Sequence, residues 1–163
     1  MSSNIEMKIY VDVLFINMDM ETYLVEVNEK ASLIDAKKEL QKNSYIYPEE
    51  QLWFCNNTII SGTICWDDKN HYSVIVNNKW FTFNIKTMTN SNIKITQLNS
   101  RDKVLAIKYH IFNKVNLLPN TYTLTYYNMG QSKELFDEDY IGKYFIPNDS
   151  TINLNIKLKT GFK

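Results

Sequence analysis

Apolar and polar side chains alternate along several short runs of this 163-residue chain, and two runs between them switch to a helical period. Trp80-Phe81-Thr82-Phe83-Asn84-Ile85-Lys86 alternates with period two, the mark of a half-buried strand. Thr89-Asn90-Ser91-Asn92 is turn chemistry, and Ile93-Lys94-Ile95-Thr96 alternates again, which predicts a hairpin. Asn99 or Ser100 then stands where a helix cap belongs, with Asp102 in the first turn. Val104, Ala106, Ile107 and Ile111 follow at helical spacing, with Lys103, Lys108 and Lys114 on other faces. Asn116-Leu117-Leu118-Pro119-Asn120 ends that helix, because the residue before a proline is pushed out of the helical region. Tyr122, Leu124 and Tyr126 mark a third strand, Asn128 to Gln131 a turn, Leu135 a short strand, and Asp137 to Tyr144 a short helical turn. Thr151 to Leu158 alternates strictly, which predicts Ile152, Leu154, Ile156 and Leu158 inward and Asn153, Asn155 and Lys157 outward. The order β-β-α-β-β, short helix, β predicts a curled mixed sheet with one helix across its apolar face.

The first half repeats the plan in shorter form. Lys8 to Leu14 and Thr22 to Val27 alternate on either side of the turn Asn17-Met18-Asp19-Met20. Ala31 to Asn43 is helical, with Leu33, Ala36 and Leu40 on one stripe and Lys37, Lys38 and Lys42 solvated. Ile46-Tyr47-Pro48 matches the exit at Leu117-Leu118-Pro119, and Leu52-Trp53-Phe54 is the third strand. Ile59-Ile60 and Tyr72 to Val76 complete the sheet, while Gly62 to Asn70 stands in place of the short helix.

Charge changes the picture. The chain is neutral overall, yet residues 1–78 carry 12 acidic and 6 basic side chains and residues 79–163 carry 6 acidic and 12 basic. The split is either a matter of chance and solvated faces, or it makes the halves attract one another or leaves the basic half to an acidic partner. Neutrality of the whole argues against a nucleic-acid binder that works by neutralising phosphates. No apolar run approaches the length that spans a bilayer, so no membrane partner is expected. The start Met-Ser-Ser-Asn-Ile-Glu lacks the basic and apolar segments of a secretory signal, and Cys55 and Cys65 are too few for a disulfide framework, so a reduced, cytoplasmic protein is expected.

The second half resembles the ubiquitin family. Phe83 to Thr89 is similar to the family's first strand and turn, and Leu118-Pro119-Asn120 with Leu124 to its helix exit and third strand. Asp139-Tyr140-Ile141 resembles the tyrosine-bearing segment before the last strand, and Ser150 to Lys159 the last strand and basic tail. The first half is a weaker, ubiquitin-like match. The resemblance implies an α+β chain of two tandem ubiquitin-like β-grasp domains, 7–77 (divergent and shortened) and 79–161, each a mixed sheet packed on one helix.

Two such domains in tandem resemble the two-domain ubiquitin-like modifiers, the interferon-induced modifier of vertebrates and its counterparts in bacterial antiphage operons. That resemblance implies a non-enzymatic protein modifier. Its partners would be activating, conjugating and deconjugating enzymes and the target proteins, and it would need no cofactor. A terminal glycine carboxylate would be joined to a target amine, glycine being used because it passes a narrow channel without a side chain. Gly161 falls at that position, with Lys157, Leu158, Lys159 and Thr160 as the tail to be recognised. Thr160 replaces the family's penultimate glycine, and Phe162 and Lys163 follow Gly161, so conjugation requires their removal. The family's apolar recognition patch maps to Met88, Thr125 and Asn155, of which only Met88 is apolar, so a receptor is expected to read another surface. The alternative is a non-conjugated adaptor that mimics ubiquitin.

Catalytic chemistry finds little support. His71 and His110 with Cys55 and Cys65 fit no zinc spacing, and neither pair has a third group or a glycine-lined oxyanion turn. There is no phosphate-cradling glycine loop. Asp67-Asp68 and Asp137-Glu138-Asp139 read as solvated faces. Trp53 and Phe54 are adjacent on a strand and must face opposite ways, while Trp66 and Trp80 flank the join.

Overall fold

The structure, a computed structural model, describes residues 5–62, 64–77 and 79–158. The chain divides into two compact units, Met1–Lys79 and Trp80–Lys163.

In the first unit β1 (Glu6–Leu14) and β2 (Met20–Asn28) form an antiparallel hairpin. Helix α1 (Leu33–Ser44) follows, then a 3-10 turn at Pro48–Glu50, β3 (Gln51–Cys55), β4 (Thr58–Ile59) and β5 (Tyr72–Val76). The sheet order is β2-β1-β5-β3-β4, with β5 parallel to β1 and antiparallel to β3. Helix α1 starts where it does because Ser32 and Asp35 form a reciprocal cap, each side chain satisfying the other's backbone N–H. It stops at Tyr45, which turns left-handed at φ 61°, ahead of Pro48. Its buried residues Ala36 and Leu40 meet the inward row Ile9, Val11, Val13, Val25 and Val27. Each large aliphatic side chain so buried is worth about 1.5–3 kcal/mol. The buried amide of Gln51 closes the layers: its Nε2 donates to the carbonyls of Lys37 and Ile46, each at 2.9 Å, and its Oε1 accepts from Trp53 Nε1 at 2.9 Å. Among the described residues of 62–70 there is no helix. Trp66 fills that place, set edge-on to Trp53 with centroids 5.9 Å apart and donating to the Ala31 carbonyl at 2.8 Å.

The second unit runs β6 (Phe81–Lys86), β7 (Asn92–Leu98), helix α2 (Val104–Val115), a 3-10 turn at Pro119–Thr121, β8 (Tyr122–Asn128), β9 (Gln131–Leu135), a 3-10 turn at Ile141–Tyr144, and β10 (Thr151–Ile156). Its order, β7-β6-β10-β8-β9, is that of the first unit, with β10 parallel to β6 and antiparallel to β8. The helices begin at Leu33 and Val104, the 3-10 turns at Pro48 and Pro119, and the third strands at Gln51 and Tyr122, a constant spacing of 71 residues. The chain is thus α+β, two tandem ubiquitin-like β-grasp domains, each with one helix laid on a mixed five-stranded sheet.

Three sequence expectations need correction here. Asn99, Ser100 and Asp102 do not cap α2. Asp102 lies before the helix and closes a turn by accepting from the Asn99 N–H at 2.9 Å. Lys103 is the residue at the cap and its side chain makes no capping bond; instead the N–H groups of Val104 and Leu105 donate to the carbonyls of Asp139 and Asp137, at 2.9 and 3.1 Å. A distant loop does the capping, which no local pattern announces. Ile156 and Leu158 are not inward; they are 42% and 85% exposed. Pairing with β6 stops at Asn153 and with β8 at Ile156, so neither side chain lies over a core. Lys108 is 4% exposed rather than set apart from the packed face.

Candidate functional site

The C-terminal strand is the first candidate. β10 lies centrally in its sheet, held by β6 on one side and β8 on the other. Among the described residues the last backbone bond of this segment is donated by the Lys157 N–H to the Thr121 carbonyl, at 2.9 Å. Leu158 beyond it is solvent-exposed. The chain therefore leaves a firmly paired strand and enters solvent within two residues. Lys159, Thr160, Gly161, Phe162 and Lys163 lie outside the described residues.

The residues of the expected recognition surface lie on the β6–β7 turn and on β8 and β10. Met88 sits in the β6–β7 turn and is 72% exposed. Thr125 on β8 and Asn155 on β10 share the sheet face turned away from the helix, and Asn155 Nδ2 donates to Thr125 Oγ1 at 3.0 Å. Thr123 stands opposite Asn155 and Asn153 opposite Thr125, so this face is lined with hydroxyls and amides. The first unit presents the opposite chemistry. Met20, Leu14, Ile75 and Leu52 stand in register on four neighbouring strands, all on the outward face. Sequence reasoning missed this row. Met20 was read as part of a turn whereas it opens β2, and only the register sets the four side by side.

The acidic run of the second unit is a fastening. Lys108 Nζ lies 2.6 Å from Asp137 Oδ1 and donates to the Tyr122 carbonyl at 3.3 Å. Lys103 pairs with Glu138 at 2.6 Å, and Lys143 with Asp139 at 2.9 Å. Tyr144 hydroxyl donates to Asp139 Oδ2 at 2.5 Å and accepts from the Phe136 N–H at 2.9 Å. These bonds hold the Asp139 carboxyl below the usual carboxylate range. Burial, then the Asp139 carboxylate, pushes the Tyr144 phenol up to about 12, and burial with Asp137 does the same for Tyr122, also to about 12.

The first unit has one exposed pair of interest, His71 Nε2 at 2.9 Å from Asp12 Oδ2. Hydrogen bonds from Thr22 and then His71 hold the Asp12 carboxyl below its usual range. Neither cysteine joins the pair: Cys55 is half-buried and Cys65 exposed, and both are free thiols. Among the described residues no group of three or more His, Cys, Asp or Glu side chains is placed to hold a metal ion. No helix among them is long and apolar enough to cross a membrane. Of the tryptophans, Trp53 and Trp66 fill the first core, and Trp80 is exposed.

The strand order, the lone helix and the exit of β10 are the features on which kinship can be judged. Residues 83–159 match the model of the Ubiquitin family. The match starts inside β6 and ends just past β10, so it spans the sheet and helix of the second unit. No curated protein matches the chain. The first unit joins the ubiquitin-like description through its identical strand order.

Proposed function

We propose that this chain is a ubiquitin-like protein modifier, attached to target proteins through Gly161 after removal of Phe162 and Lys163. The observation that carries the reading is the exit of β10: a strand locked on both sides releases the chain at Lys157, and exposed Leu158 leads into a basic tail. A tail bound for a narrow enzyme channel has to be thin and clear of its own core, and Gly161 supplies the position without a side chain. Activating, conjugating and deconjugating enzymes are the partners, and the setting by resemblance is antiviral or antiphage defence in the cytoplasm. The reaction lies with those enzymes: the Gly161 carboxylate is adenylated, passes through a thioester, and ends in an isopeptide bond to a target lysine.

Digestion of conjugates gives a specific test. Trypsin cuts after Lys159, so a target lysine joined to Gly161 retains a Thr-Gly remnant. Mass spectrometry of cells expressing the chain with its neighbouring genes is expected to find that remnant, and Gly161→Ala is expected to abolish it. A chain recovered whole, ending Gly-Phe-Lys, with no remnant on any lysine, would overturn the reading.

The second reading is an adaptor that works without conjugation. Two observations favour it: Thr160, Phe162 and Lys163 around Gly161, and the outward row Met20, Leu14, Ile75 and Leu52 available to a noncovalent partner. Stable partners captured with Lys163 intact, and lost on Ile75→Asp, would decide for it.

A further inference from the structure

A strand at the rim of a sheet exposes a row of backbone N–H and C=O groups, and proteins blunt such rims with short length, lysine, proline or a bulge. Three of the four rim strands here are blunted. β4 has only 2 residues. β9 has 5 and carries Lys133. β7 carries Lys94 and a left-handed Gln97 at φ 64°, where its register with β6 shifts. β2 has none of these devices. It is 9 residues long, pairs with β1 without a bulge, and Met20–Asn28 contains no Lys, Arg, Pro or Gly. Among the described residues its other side meets no strand. Beside it, between β2 and α1, lies a cavity of about 380 Å³ lined by Glu26, Asp35 and Glu39, with one lysine, Lys30. The strand itself adds Glu21.

The chain also holds a segment of matching chemistry. Lys157-Leu158-Lys159-Thr160-Gly161-Phe162-Lys163 puts lysines at alternate positions 157, 159 and 163 and apolar side chains at 158 and 162. Extended, it spans about 23 Å, within the roughly 30 Å of β2. Its lysines on one face suit Asp35 and Glu39 of the groove, which also bond Ser32 and Lys42, and Leu158 and Phe162 on the other suit the outward Leu24 and Met20, on whose face Glu26 stands paired with Lys8. A second β2 is the poorer occupant, since Glu21 and Glu26 would bring like charge to the same rim.

We propose that β2 of the first unit accepts the segment Lys157–Lys163 of a second copy as an added strand, so that the chain associates head to tail. The contact is heterologous, one surface meeting a different one, and therefore leads to closed rings, the smallest a reciprocal exchange between two copies, or to open chains. The proposal stands apart from the modifier reading, because it concerns the untrimmed chain, in which Phe162 and Lys163 are still present.

Light scattering across a concentration series tests it on three proteins: the full chain, a chain ending at Ile156, and the full chain with Leu24→Lys, an outward change on β2. The full chain is expected to gain mass with concentration and lose it on raising salt, while the other two stay single. A synthetic peptide Ile156–Lys163 added to the shortened chain is expected to shift the backbone amide resonances of Met20–Asn28, and Leu24→Lys in that chain to weaken the peptide about tenfold. A full chain that stays single at every concentration overturns the proposal, as does a shortened chain that associates equally. Peptide shifts confined to other strands overturn it too, as does a single-copy chain whose β2 is covered by its own tail.

Discussion

Lys108 and Tyr122 carry the second unit's least ordinary chemistry. A buried ammonium is tolerated because Asp137 balances its charge at 2.6 Å and the Tyr122 carbonyl accepts a hydrogen bond from it. Asp137 reaches solvent, so losing its partner costs less than in a sealed pair. Lys108→Ala is expected to destabilise the unit by about 1–3 kcal/mol, and Lys108→Met by less because the methylene stem is kept. Urea unfolding of the two variants checks the order. The pH response follows from the raised phenols. Tyr122 and Tyr144 titrate near 12 when folded, against an ordinary value near 10 in the unfolded chain. Their contribution is complete below about pH 10 and is lost as pH rises toward about 12, since only the unfolded chain releases those protons in that window. On the acid side Asp12, Asp35 and Asp139 are depressed, so their contribution is present above about pH 4 and is lost as pH falls below it. A denaturant midpoint measured against pH is expected to fall at both of those limits, and Tyr144→Phe to lessen the alkaline fall.

The two helices start in different ways, and the difference decides what a single substitution does. Ser32 caps α1 from next door, its Oγ accepting from the Asp35 N–H at 3.3 Å while Asp35 bonds back to the Ser32 N–H at 3.0 Å. Ser32→Ala is expected to cost about 1 kcal/mol, read as a lower unfolding midpoint. The start of α2 has no such handle: Ser100→Ala is expected to leave the capping bonds alone, because the Asp137 and Asp139 carbonyls do the work. Helix position and length were legible from the spacing of Leu33, Ala36 and Leu40 and of Val104, Ile107 and Ile111. The cap of α2 was not, since its donors and acceptors are some 34 residues apart in the chain and only the fold unites them.

At the scale of the molecule, each unit closes a core from its own side chains around its own helix. Trp53→Ala opens the first core beneath Trp66 and releases the Gln51 amide, and is expected to cost that unit about 3–5 kcal/mol. Amide exchange should quicken across β1, β3 and β5 while α2 and β10 keep their protection.

Read alone, the amino-acid order was enough for the repeat, the strand and helix sequence and the α+β class, because these rest on local period and turn chemistry, while the resemblance of the second half was carried by particular residues such as Leu118-Pro119-Asn120 and Ser150 to Lys159. Three things came only with the folded chain: the apolar row on the first sheet, the burial of Lys108, and the unblunted rim of β2. Each depends on strand register or on which strands stand at the edge, and those follow from long-range pairing that no local window contains. Ile156 and Leu158 show the boundary most plainly: their alternation is that of Ile152 and Leu154, but a side chain is buried only where neighbours cover it, and β6 and the helix have ended by then.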